Sequence, residues 1–188
     1  MSFAHDTEEA LLSAAALINT APHNTGVASP DTLSTLHELD VFVAEQRFSG
    51  SRAHDEAELR GVRRMRTQLR AIWEADEADA ARLVNELLTQ AKALPQLVKH
   101  DQWDWHLHAT TSTAPLALRM GTEAAMGLVD VIRSKELARL KVCDADDCQA
   151  VLIDLSKNRS RRYCDTGNCG NRAHVAAYRA RKAAEVSP

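Results

Sequence analysis

Apolar residues recur at helical spacing through most of the first 140 positions. Asp6 and Glu9 stand at capping-box spacing ahead of an alanine- and leucine-rich run, predicting a first helix over about residues 7–19 and a loop at 21–26. Ser29 before Pro30 offers an N-cap and a first-turn proline to a second helix, with Leu33, Leu36, Leu39 and Val43 as its buried stripe. Leu59, Val62, Leu69, Ile72 and Trp73 mark the core face of a third helix over about 55–74. Leu83, Leu87 and Leu88 mark a fourth over about 79–92, closed by Pro95. The period then changes to two. Segments 97–100 and 103–108 alternate about a turn at 101–102 and predict a β-hairpin, with Trp103, Trp105 and Leu107 on one face and Asp104, His106 and His108 on the other. Pro115 opens a long apolar helix to about Arg139, in which Met120 and Met126 either pack in the core or line a ligand cavity.

With 188 residues, 45% of them hydrophobic, the chain is long enough for a real core, and no apolar run reaches the roughly 18 residues of a membrane span. The net charge of −3 hides a division. Residues 1–140 hold 14 Lys+Arg against 20 Asp+Glu, whereas 141–188 hold 9 against 6. Within 156–182, Lys157, Arg159, Arg161, Arg162, Arg172, Arg179, Arg181 and Lys182 face only Asp165, a sign asymmetry that points to a nucleic-acid contact on the C-terminal part. The arginines at 60, 63, 64, 66 and 70 lie among acidic neighbours and read instead as an ion-paired face.

The four cysteines, the only ones in the chain, fall as Cys143-x4-Cys148 and Cys164-x4-Cys169 with fifteen residues between the pairs. Two close pairs and one fold-back loop suit a tetrahedral four-thiolate Zn2+ site, closed and therefore structural rather than catalytic. Two disulfides or buried free thiols are the competing readings. The first residues after Met1 show neither the charged n-region nor the apolar h-region of a signal peptide, so a reducing, cytoplasmic setting is expected and zinc is favoured. Between the pairs, 151–153 read as a strand and 154–163 as a polar turn with a second strand entering Cys164. Lys157, Asn158, Arg159, Arg161 and Arg162 supply donors suited to phosphate oxygens. Asn171 is a candidate N-cap for a helix to about Glu185, carrying Arg172, Arg179, Arg181 and Lys182, with Val175 and Tyr178 expected to pack on the zinc core. A small structural zinc module with a merely basic surface is the alternative at this point.

The string from Cys143-x4-Cys148 through Asp154-x-Ser156-x-Asn158-x-Ser160-Arg161-Arg162-Tyr163-Cys164 to Cys169-Gly170-Asn171-Arg172 resembles the CGNR zinc finger. Residues 17–20 (Leu-Ile-Asn-Thr), the Trp/His-rich hairpin and the helix from Pro115 resemble the ABATE domain that precedes that finger. The resemblance implies a bacterial, stress-induced transcription regulator with Cys143, Cys148, Cys164 and Cys169 on zinc. It implies DNA contacts at Arg159, Arg161, Arg162 and Arg172. His174 stands where that pattern has a second basic residue, which lowers the helix's charge near neutral pH.

The expected architecture is mainly α: a helical domain over 1–140 with a small β-hairpin, then a treble-clef- or ribbon-like four-cysteine zinc finger over 141–188 ending in a basic helix. The expected function is duplex-DNA binding by the finger, with the first domain sensing a small-molecule effector or forming a homodimer. A protein- or RNA-recruiting zinc module is the alternative. The chain has no phosphate-binding glycine loop, nucleophile elbow or open metal triad, so no enzymatic activity is expected. His106 and His108 are candidates for a metal or an anionic ligand, but without a recognisable third ligand a solvent-facing polar edge is the reading favoured.

Overall fold

A computed structural model describes residues 3–24, 28–99 and 105–186. The first helix, α1 (His5–Asn19), starts from Ala4 without a side-chain cap, because the Asp6 carboxylate accepts from the neighbouring Thr7 N–H instead of closing a box with Glu9. A short strand β1 (His23–Asn24) within the expected loop pairs antiparallel with β2 (Ala28–Ser29), which takes up the residue expected to cap the second helix. The second helix, α2 (Leu36–Glu45), begins six residues beyond Pro30. Its cap is Thr35, whose hydroxyl accepts from Glu38 N–H while the Glu38 carboxylate accepts from Thr35 N–H. Asp31, ahead of that cap, pairs through both oxygens with the buried Arg66 of α3 (Glu56–Trp73) at 2.8 and 2.6 Å. The arginine-rich face of α3 is thus partly ion-paired, as its acidic surroundings imply: Arg63 also reaches Asp31, and Arg70 reaches Glu74.

Helix α4 (Glu77–Gln90) leads to a hairpin of β3 (Gln96–Val98) and β4 (His106–His108), in the register Val98↔His106 and Gln96↔His108. The turn expected at 101–102, together with Trp103 and Asp104, lies outside the described residues. Next comes α5 (Leu116–Arg133), the helix around which α1, α3 and α4 gather. Gly121 and Gly127 permit this, since a Cβ at the first would collide with Met65 of α3 and at the second would press on Leu11 of α1. Among the described residues no helix is long and apolar enough to cross a membrane.

The connection to the finger is not the unbroken helix anticipated. Ser134 caps α5, Lys135 turns the chain at φ +57°, and a short 3-10 turn (Leu137–Arg139) delivers it to β5 (Leu140–Val142). Its antiparallel partner is β6 (Val151–Ile153), so the strand expected to enter Cys164 is absent and 154–163 form a loop. Every residue of β6 is buried, on two different cores: Val151 and Ile153 join the helical body, whereas Leu152 joins the cysteines.

Polar clamps fix this docking. The Asn19 side chain donates to Val151 C=O at 2.9 Å and accepts from Val151 N–H at 2.8 Å, copying a strand neighbour for β6. Trp73 Nε1 donates to Lys141 C=O and Arg70 to Gln149 C=O. Replacing Asn19 with Ala leaves both Val151 backbone groups without their partners and is expected to lower unfolding free energy by about 1–3 kcal/mol, measured by urea denaturation.

Candidate zinc centre, basic interface and cleft

Cys143 follows β5, Cys148 precedes β6, Cys164 ends the loop, and Cys169 opens α6 (Cys169–Val186). All four thiols are buried, with sulfurs within 4.8 Å of one another, including Cys148–Cys164 at 3.6 Å and Cys164–Cys169 at 3.7 Å. A tetrahedron with Zn–S bonds of about 2.3 Å has S···S edges of about 3.8 Å, so the donor set fits Zn2+ in kind, number and spacing. Burial holds the Cys148 and Cys164 thiols above their ordinary range. At Cys169 burial also presses upward, but hydrogen bonds from Arg172 and the neighbouring thiols bring it below that range. Backbone N–H of Cys164 donates to Cys143 sulfur at 3.4 Å and Arg172 Nη2 to Cys169 sulfur at 3.3 Å. Both contacts would orient the ligands around the ion.

The spacing of Asp154, Ser156 and Ser160 has a structural reason. Asp154, fully buried, accepts from Lys141 Nζ at 2.6 Å, from Ser156 N–H and Oγ, and from Arg161 N–H. Although burial pushes its carboxyl upward, Lys141 and the Ser156 donors dominate and hold it at about 2. Lys141 Nζ also donates to the carbonyls of Arg159 and Arg161, and Ser156 Oγ accepts from Ser160 N–H, so one buried ion pair shapes the whole loop. Asp154 stands in the sequence motif without a visible role, and its counter-ion Lys141 lies outside that motif, so sequence reasoning misses the pair.

The loop arginines have local partners. Arg159 pairs with Glu136 at 2.7 Å, Arg161 with Asp165, Arg162 with Asp144 at 2.6 Å, and Arg172 with both oxygens of Asp147 at 2.8 Å. Among the described residues no acid pairs with Lys157, Arg179, Arg181 or Lys182. Asn168, at φ +49°, accepts Arg172 N–H through its backbone carbonyl and so starts α6 earlier than predicted. Asn171 sits inside the first turn, where its amide donates to the Asn168 side chain. From His174 to Ala184 every side chain is exposed, including Val175 and Tyr178, so these two do not pack on the zinc core. Alanines at 173, 176, 177, 180, 183 and 184 supply the helix propensity that tertiary packing does not.

In the body, a cleft of about 460 Å3 opens between α1, α5 and the β3–β4 hairpin. His106 and His108 line it, contrary to the solvent-facing edge expected, with Nε2 atoms 2.9 Å apart. The hairpin turns its histidine face toward the cleft that α1 and α5 also line, leaving Leu97 and Trp105 exposed. Glu123 lies on α5 among buried Met120, Ala124 and Ala125, near the buried polar groups Arg119 and Thr122. Burial raises its carboxyl to about 7 against the pull of Arg119.

Comparison with known families finds a CGNR zinc finger at residues 139–182 and, at 13–135, the ABATE domain, described as "putative stress-induced transcription regulator". The chain belongs to the ABATE family. A comparison with curated proteins finds no match. The ABATE protein therefore carries one structural Zn2+, held by Cys143, Cys148, Cys164 and Cys169.

Removing Asp154's charge leaves Lys141 without its buried counter-ion. The Asp154→Asn variant of this ABATE protein is expected to lose about 3 kcal/mol of stability in urea and to surrender zinc faster to a chelator, followed by a colorimetric zinc indicator. For Glu123, whose folded-state value of about 7 lies above an unfolded value of about 4.3, stability is fully present at low pH and falls as pH rises through neutrality. Glu123→Gln is expected to gain stability relative to wild type between about pH 5 and 8, read from urea midpoints across that range.

Proposed function

We propose that this ABATE protein is a one-component transcription regulator: zinc folds the finger, the finger grips duplex DNA, and the body answers to a small effector, without enzymatic chemistry of its own. Helix α6 carries the reading. It leaves the zinc centre with Val175, Tyr178, Arg179 and Lys182 along one side at helical spacing, and its outer cations lack acidic partners among the described residues. A helix exposed all round with a basic face is suited to a major groove. The Asp154-organised loop brings Lys157 and Asn158 to the same finger. Arg159, Arg161, Arg162 and Arg172 join as cations whose acidic partners keep them ordered and would compete with phosphate.

Duplex DNA is favoured over single-stranded RNA because readers of single strands stack bases on exposed aromatics, and of the two tyrosines on this finger only Tyr178 is exposed. For the body, the cleft supports effector sensing. The exposed Leu97 and Trp105 face supports pairing of two copies, which would match a two-fold symmetric site.

The test is fluorescence anisotropy of the zinc-loaded protein on mixed-sequence duplex DNA across a salt series. The Arg179→Ala/Arg181→Ala/Lys182→Ala variant is expected to bind more weakly and to flatten the log–log salt slope by about 2–3, close to 0.9 per lost phosphate contact. An unchanged slope moves the contact away from α6, and no binding at low salt ends the DNA reading.

A further inference from the structure

We propose that the cleft between α1, α5 and the β3–β4 hairpin binds a small organic cation with an apolar body, its charged head held at Glu123 beside the His106–His108 pair. The proposal rests on the reading of the body as the sensing part and gives that sensor a ligand class.

Size and lining come first. A space of about 460 Å3 falls in the range of small-molecule sites, and its walls are largely apolar, from Phe48, Leu88, Pro95, Met126 and Val129. Such a lining suits an aliphatic or aromatic body, and Met126 can adapt its shape to one.

The polar groups decide the head. Asp6 and Asp130 also line the cleft, but each already accepts a hydrogen bond from Thr7, one from its N–H and the other from its hydroxyl. Glu123 accepts none among the described residues, although it is well removed from water. Arg119 acts on it only through space, and a largely buried carboxyl that accepts no hydrogen bond is costly, since nearly all such groups in folded proteins are satisfied by something. Glu123 also borders the adjoining cleft lined by Ser49, Gln96 and Thr110, so it stands where the two spaces meet. His106 and His108, their Nε2 atoms 2.9 Å apart and their rings edge to face, add a polar edge to the same cleft. Arg47 and Arg133 of the lining are exposed, and Arg119, buried in the adjoining cleft, is committed to the carbonyls of Ser49, Ser51 and Ala114. Inside, negative charge prevails. An ammonium head would pair with Glu123 while its body fills the apolar walls, an arrangement that neither a neutral nor an anionic molecule of the same shape reproduces.

The experiment is isothermal titration calorimetry of the full-length, zinc-loaded protein with three probes of matched shape: 2-phenylethylamine, 2-phenylethanol and 3-phenylpropanoate. The amine is expected to bind at least tenfold tighter than the other two. Glu123→Gln should weaken the amine at least tenfold while leaving the alcohol unchanged. Met126→Trp, which fills the cleft, should abolish amine binding, and far-UV circular dichroism of both variants should match wild type. Equal or tighter binding of the alcohol or carboxylate, an amine affinity indifferent to Glu123→Gln, or no amine binding at all overturns the proposal. DNA binding by the wild-type protein is read separately on the finger, so failure of the ligand proposal and failure of the regulator reading give different patterns.

Discussion

Four thiols crowded into one buried volume are a constraint that the chain cannot satisfy by itself. As thiolates they would repel one another without water to screen them, and as thiols they would offer one another only weak hydrogen bonds. A divalent ion removes both difficulties at once and turns the cluster into a fastening for β5, β6, the loop and α6. The direction in which α6 leaves the finger follows from this fastening, because Cys169 is both a ligand and the first residue of that helix. The contacts of Arg172 with Asp147 and with the Cys169 sulfur then tie the first turn of α6 back to the knuckle between the first two cysteines.

Around that centre, charge is sorted by role. The cations nearest the metal have acidic neighbours within hydrogen-bonding distance, which keep the loop in one conformation and reduce its attraction for distant phosphates. The cations on the outer part of α6 have none among the described residues, so their field extends into solvent and would guide the approach of a polyanion. Counting basic residues treats the two groups alike, whereas the geometry gives one an internal job and leaves the other available.

The zinc ligands were fully legible, since spacing and residue type suffice when four side chains share one ion. Helix existence was also legible from periodicity, as were the starts of α3 at Asp55 and of α5 at Pro115, but the caps of α1 and α2 were not, because several polar residues competed for each. Asp6 had a cap-like position yet bonded its neighbour, and Ser29-Pro30 yielded to Thr35-Glu38, whose box closes with both hydrogen bonds. Alternation placed His106 and His108 together on one face but could not say which face turns inward, because that depends on how the hairpin docks against α1 and α5, elements elsewhere in the sequence. Val175 and Tyr178 looked like core residues by type. On α6 both are exposed, with Lys182 over the Tyr178 ring, and an alanine-rich helix does not need them inside.

The two faces of β6 carry a consequence for how such proteins can be assembled. Val151 and Ile153 belong to the floor of the helical body while Leu152 belongs to the wall of the metal centre, so one three-residue strand is common property of both. A cut near residue 140 would strip apolar cover from α1 and expose the inner side of the finger at the same stroke. The finger is therefore not a transplantable cassette, and shuffling it between unrelated bodies would require each recipient to offer a matching groove with an Asn19-like edge.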